Sequence, residues 1–154
     1  LSLSNKDIPI DLLSGADQLI IKKKNDHSLI FDPVRKKYIR LQPEEFVRQL
    51  FVLWLIQNTK INRNSIQVEK VLKINNVVKR FDILIYDNQM NPYIVVECKA
   101  PEVKITQSTF DQIAVYNMAL SAPFLVVTNG RSTYIVQVNH TDKCYSFFDA
   151  LPEW

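Results

Sequence analysis

The chain has 154 residues, 47% of them hydrophobic and 23% charged, with a net charge of +3, which suits one domain burying roughly two thirds of its unfolded surface. Its only glycines are Gly15 and Gly130, so neither GxxxxGK[ST] nor GxGxxG can be written, which argues against a P-loop motor, a dinucleotide fold and a nucleotide cofactor. Two distant histidines, two cysteines without CxxC spacing and no GxSxG elbow argue against a structural zinc, a disulfide framework and serine-hydrolase chemistry, leaving carboxylate and lysine for catalysis.

Residues 1–37 carry turn and charge signals and are expected to form an N-terminal extension, with DPVRKKYIRL a short strand or extended arm entering a helix. The start, LSLSNKDIPIDLL, lacks the layout of a secretory signal. No apolar run approaches the ~18 residues that span a bilayer, so a soluble, cytoplasmic protein without membrane contact is expected. The runs Lys22–Lys24 and Arg35–Lys37 offer phosphate contacts, although such runs are more often solvated surface.

A core is expected over residues 38–138. Pro43 suits a first helical position, and Glu44 and Glu45 its first turn. FVRQLFVLWLI, residues 46–56, is apolar almost all round and predicts a buried helix. Three segments of β character follow at 66–74, 80–86 and 93–99, joined by NNVV and DNQMNP and read as an antiparallel meander. Ser108 and Asp111 offer a capping box for a second helix reaching about Leu120. FLVVT at 124–128 reads as a buried strand, Asn129-Gly130 as a turn, and TYIVQV at 133–138 as the returning strand. The tail, residues 139–154, is expected to be a cap, and both cysteines, Cys98 and Cys144, to be reduced and buried. The fold class is therefore α/β (α+β), one domain in the order α-β-β-β-α-β-β, with a mixed central sheet flanked by helices.

The charges at strand ends carry the chemistry. In RFDILIYD, alternation sets Phe81, Ile83 and Ile85 on one face and Asp82 with Leu84 and Tyr86 on the other. In YIVVECK it groups Tyr93, Val95, Glu97 and Lys99. If the two strands pair through DNQMNP, Asp82 neighbours Glu97 and Lys99. Two carboxylates and a backbone carbonyl offer hard oxygen ligands to Mg²⁺ or Mn²⁺, and a lysine two positions on can orient an attacking water.

Asp82, fourteen intervening residues and then Glu97-Cys98-Lys99 resemble the PD-(D/E)xK nuclease signature, with Phe81 standing where proline is frequent. RFDILIYD, YIVVECKAP, QIAVYN and APFLVVTNG, in that order, look like the N-terminal nuclease domain of type I restriction enzyme R subunits. The resemblance implies a restriction-endonuclease-like core and Mg²⁺- or Mn²⁺-dependent hydrolysis of DNA. It also implies metal ligands at Asp82, Glu97 and the Cys98 carbonyl, a catalytic Lys99, and a helix glutamate mapped to Glu45. A QxxxY element falls on Gln112 and Tyr116, and the partners are DNA and other restriction-system subunits. The competing expectation is a non-catalytic DNA-binding or assembly module that keeps the nuclease fold.

Overall fold

The computed structural model describes Leu3 and residues 6–153. It is a mixed α/β structure with two sheets. A three-stranded antiparallel sheet in the order β1-β2-β3 comprises Ile21–Lys24, His27–Asp32 and Lys37–Arg40. Helix α1, Pro43–Asn58, leads from it to a six-stranded sheet in the order β4-β5-β6-β7-β8-β9. Its strands are Ile66–Ile74, Val77–Tyr86, Pro92–Cys98, Phe124–Thr128, Thr133–Asn139 and Cys144–Phe148, with helix α2, Gln107–Asn117, between β6 and β7.

All neighbours in the larger sheet run antiparallel except β6 and β7, which are parallel and connected through α2, as a parallel pair requires a crossover. Each helix covers one face. On one side Val47, Leu50, Phe51, Val52 and Leu55 of α1 pack with Ile83, Ile85, Ile94, Val96 and Val126. On the other, Phe110 and Ile113 of α2 pack with Leu84, Val95, Leu125, Val127 and Val136. The uninterrupted FLVVT run follows from this: every residue of β7 is buried because both of its faces are covered.

The core elements agree closely with the sequence reading, and the differences have local causes. The β4–β5 turn is Asn75-Asn76, both at positive φ, so Val77 and Val78 belong to the strand rather than the connection. The start of α2 is capped by Thr106 and Thr109, which exchange reciprocal bonds, instead of Ser108 and Asp111. Residues expected to be extension and cap carry further strands: β1, β2 and the start of β3 lie before residue 38, and β9 pairs along β8 from Asn139↔Cys144 to Ile135↔Phe148. Cys98 is buried as expected, but Cys144 is exposed on that edge strand, and both are free thiols. Among the described residues no helix is long and apolar enough to cross a membrane.

The link from α2 to β7 is closed by one side chain. Asn117, almost fully buried, donates to the Ala122 carbonyl at 2.8 Å and accepts from the Ala122 amide at 3.1 Å. Ser121, at φ +54, makes the turn that this bracket holds. An Asn117→Ala variant strips the Ala122 amide of its partner and leaves the Ala122 carbonyl to His140 Nε2 at 3.0 Å, and urea titration should show a loss of about 1–3 kcal/mol.

Candidate active site

The β5–β6 register pairs Ile83 with Val96 and Leu84 with Val95, which brings the start of the apolar part of β5 beside the end of β6. Asp82 crosses that junction: its Oδ2 accepts the Cys98 amide at 2.7 Å. In an extended strand the N–H and C=O of one residue project to the same edge, so the Cys98 carbonyl faces the Asp82 side. Lys99 continues the chain with its amide on the Thr128 carbonyl at 2.8 Å, and its Nζ lies 2.7 Å from Glu97 Oε1. Beyond it the chain turns, Val103 bonding back to Ala100, and Asn129 braces the turn by donating to the Val103 carbonyl at 2.9 Å. Asn129 Oδ1 also collects the Arg131 and Ser132 amides, and Gly130, at φ +85, permits this sharp corner.

Simple alternation fails at both strands. Phe81 packs with Leu84 and Val95 on the α2 side, apart from Ile83 and Ile85, and Asp82 is met by Arg48 from α1. The cause lies on β4, where Glu69 has a left-handed backbone, φ +54, between the paired residues Val68 and Lys70. Tyr93 packs on the α1 side, away from Val95, because the β5–β6 ladder shifts register at Ile85/Tyr86 opposite Pro92.

The first turns of α1 lie at this end of the sheet and bring residues that sequence reasoning missed. Arg48 is buried, and its guanidinium contacts Glu45, Glu69 at 2.6 Å and Asp82 Oδ1 at 2.6 Å. Burial disfavours that cation, but Asp82, Glu45 and Glu69 outweigh it, so its pKa rises. Glu45 is held in turn by Arg35 at 2.9 Å and by Gln49 at 2.9 Å, and Arg35 reaches the fully buried Asp32 at 2.5 Å. A charged chain thus runs Asp32, Arg35, Glu45, Arg48, Asp82. Arg48 was detectable: a lone arginine inside FVRQLFVLWLI must find carboxylates if the helix is buried on all sides.

Glu45 therefore reaches Asp82 through Arg48. The neighbouring Glu44 is exposed, and its charge acts on both Glu97 and Lys99. Burial, and then the Asp82 charge, push the Glu97 carboxyl above the usual carboxylate range against the opposing pull of Lys99. Burial also disfavours the Lys99 ammonium, but Glu97, Glu44 and Asp82 hold it protonated to higher pH than an ordinary lysine. The Cys98 thiol is pushed well up, by burial and then by Asp82, so it is a poor nucleophile.

Gln112 and Tyr116 lie one turn apart on the exposed side of α2. The Tyr116 ring faces the β5 flank, with Lys79 Nζ 3.9 Å from its centroid, rather than the acid pair.

Among the described residues no three or more His, Cys, Asp and Glu side chains gather into a metal-holding group. The oxygen donors present are the Asp82 and Glu97 carboxylates and the Cys98 carbonyl. Small hard divalent ions need as few as one or two carboxylates and keep several waters. A carboxylate has about four acceptor positions, so Asp82 retains capacity beyond its bonds to Arg48 and Cys98. The donor set fits such an ion, and its unfavourable Asp82–Glu97 proximity is the kind of interaction a cation relieves.

Residues 43–152 match the family model described as type I restriction enzyme R protein N terminus (HSDR_N). No curated protein sequence matches the chain significantly. Among solved structures, the chain is similar to a fragment assigned to an HsdR subunit of a type I restriction enzyme from Vibrio vulnificus YJ016, with 21% identity and a TM-score of 0.50. That match covers 73% of this chain and 24% of the other, so it spans about a quarter of that fragment's length.

Two outcomes follow from the electrostatics. Between the ordinary and the raised Glu97 pKa, the folded chain keeps a proton that the unfolded chain has lost, so stability declines as pH rises through that window. Urea titrations from about pH 4 to 7 should therefore show Glu97→Gln gaining on the wild type as pH increases; the opposite trend would mean that Lys99 dominates. Replacing Arg48 with Met removes the cation shared by Glu45, Glu69 and Asp82, leaving them to Arg35, Arg80 and the Cys98 amide, and should cost about 3–5 kcal/mol at neutral pH, with part of the loss recovered on acidification.

Proposed function

Because this chain belongs to the family of type I restriction enzyme R protein N termini, we propose that it is the DNA-cleaving domain of such a subunit and hydrolyses phosphodiester bonds with a divalent metal. The observation that carries this reading is the convergence of Asp82, Glu97 and Lys99 at one end of the central β5–β6 pair. The Asp82 charge raises the cost of ionising Glu97, and a protonated lysine lies beside them. The mixed sheet with one helix on each face supports a restriction-endonuclease-like core.

Asp82, Glu97 and the Cys98 carbonyl would hold Mg²⁺ or Mn²⁺. The bound ion supplies a Lewis acid that makes water more acidic and offsets the charge gathering on phosphate. Lys99 is half-buried, its backbone is tied to β7, and its ammonium is kept charged by Glu97, Glu44 and Asp82. That charge faces the rim, where it positions the nucleophile and steadies a developing anion. Arg48 fixes the Asp82 carboxylate from behind through Oδ1 while the Cys98 amide fixes Oδ2, so the acid is oriented before any ligand arrives. Gln112 and Tyr116, on the exposed α2 surface, belong to the DNA-facing periphery in this reading. The family implies a restriction-system context; in this reading DNA is the substrate and other restriction-system subunits are the partners.

A second reading is a non-catalytic DNA-binding or assembly module. It draws on Arg48 and Lys99, which already neutralise the two acids within the protein. Cleavage of supercoiled and linear DNA with Mg²⁺ or Mn²⁺ separates the two. Wild type should cut, and Lys99→Ala and Glu97→Gln should each lose about 10²-fold or more in rate. Calorimetry should show Mn²⁺ uptake by wild type but not by Asp82→Asn combined with Glu97→Gln. DNA binding without metal uptake or cleavage would establish the module instead.

A further inference from the structure

Residues 20–41 hold seven of the chain's nineteen Lys and Arg residues and two of its sixteen acids, a local charge of +5 in a chain whose total is +3. The remaining residues are thus slightly acidic, and the positive charge is concentrated on one element. Of the two acids, Asp32 is fully buried and paired with Arg35, which leaves Asp26 in the β1–β2 turn.

Register sorts these residues by face. Lys22 opposes Leu29 and Leu29 opposes Arg40; Lys24 opposes His27, and Phe31 opposes Tyr38. Directly opposed residues share a face, and faces alternate along each strand. Lys22, Lys24 and Arg40 therefore lie on one side with Phe31 and Tyr38, while Ile30 and Asp32, both fully buried, mark the other side as inward. Lys22, Lys24 and Arg40 are all exposed, and no acidic side chain from the three strands shares their face. Strand geometry separates Lys22 from Lys24 by about 6.8 Å, and Lys22 from Arg40, two strands away, by about 9.6 Å.

The aromatic floor decides what this face can hold. Phe31 and Tyr38 pack with ring centroids 5.3 Å apart, and Lys22 Nζ covers the Tyr38 ring at 3.5 Å. A ring capped by its own lysine is not open to a stacking base, which disfavours a single-strand platform. A flat set of cations suits phosphates instead. The face is also fixed relative to the acid pair: β2 supplies Asp32, from which the charged chain runs through Arg35, Glu45 and Arg48 to Asp82.

We propose that the outer face of the β1–β2–β3 sheet grips the phosphate backbone of double-stranded DNA through Lys22, Lys24 and Arg40. Presentation of that duplex to Asp82, Glu97 and Lys99 rests on the nuclease reading; the grip itself does not. Binding at this face is independent of base sequence and falls steeply with salt.

The test is fluorescence anisotropy with a labelled mixed-sequence duplex in EDTA, between about 50 and 200 mM salt. It compares wild type, a Lys22→Glu, Lys24→Glu and Arg40→Glu triple variant, the corresponding triple alanine variant, and Lys99→Ala. Circular dichroism melts check that each variant is folded. The charge-reversed protein should bind at least about 10-fold more weakly at low salt, and the alanine variant should lose about 3 from the slope of log K against log salt. Unchanged affinity and slope in folded variants would overturn the proposal, as would tighter binding of single-stranded DNA or RNA than of duplex at this face. If wild type never cleaves but the triple variants lose the duplex, the nuclease reading fails and the grip stands. If the triple variants bind and cleave like wild type while Lys99→Ala does not cleave, the grip fails and the nuclease reading stands.

Discussion

A buried guanidinium cannot be left alone, and the requirement to neutralise Arg48 joins three separate elements of this protein. Its carboxylate partners come from α1, β4 and β5, so the helix, the sheet edge and the distorted β4 backbone at Glu69 are satisfied together or not at all. Desolvating such a group is costly, and losing one partner leaves a charge exposed to a low-dielectric interior. The cluster consequently fixes the angle at which α1 enters the sheet, while the apolar contacts of Leu50, Phe51 and Leu55 supply the bulk of the adhesion. Asp82 is the member of that cluster that also reaches the far strand, through the Cys98 amide. One carboxylate thus ties α1 and β5 to β6.

The central elements could be read from the sequence because their patterns are strong. The bounds 66–74 and 124–128 were expected and observed: one strand is closed by an Asn-Asn turn, and the other is an unbroken apolar run between turn signals. The pairing of β5 with β6, and hence the meeting of Asp82 with the Glu97-Cys98-Lys99 stretch, followed from the same logic. The N-terminal strands did not stand out, because β1 is mostly lysine and β3 mixes lysine and arginine with aromatic and aliphatic residues. Their order depends on tertiary placement more than on hydrophobic periodicity. In β9, CYSFF alternates only weakly because its two phenylalanines serve opposite layers, Phe147 packing against Phe110 and Phe148 against Phe124.

Face assignments near the site were less readable than the strands themselves. Period-2 reasoning assumes an undisturbed pleat, whereas Glu69 at positive φ and the register shift at Ile85/Tyr86 turn Phe81 and Tyr93 to the other layer. The choice between Glu44 and Glu45 had the same character. Adjacent residues on a helix point about 100° apart, so one is committed to the buried network while the other remains exposed at the rim. Only the tertiary positions of Arg35 and Arg48 tell them apart.

The single parallel pairing, β6 with β7, has a consequence for how such a domain can diversify. A hairpin at the end of β6 would have locked the length of its connection to the register of the next strand. Because the chain instead leaves the sheet, passes through α2 and returns, the segments after Lys99 and after Thr128 lie side by side without pairing each other as strands. Residues can be added at the exposed Lys104, between the braced Val103 and the buried Ile105, without shifting a single rung of the ladder. New surface loops can therefore be grafted beside the acid pair while the frame holding it is conserved.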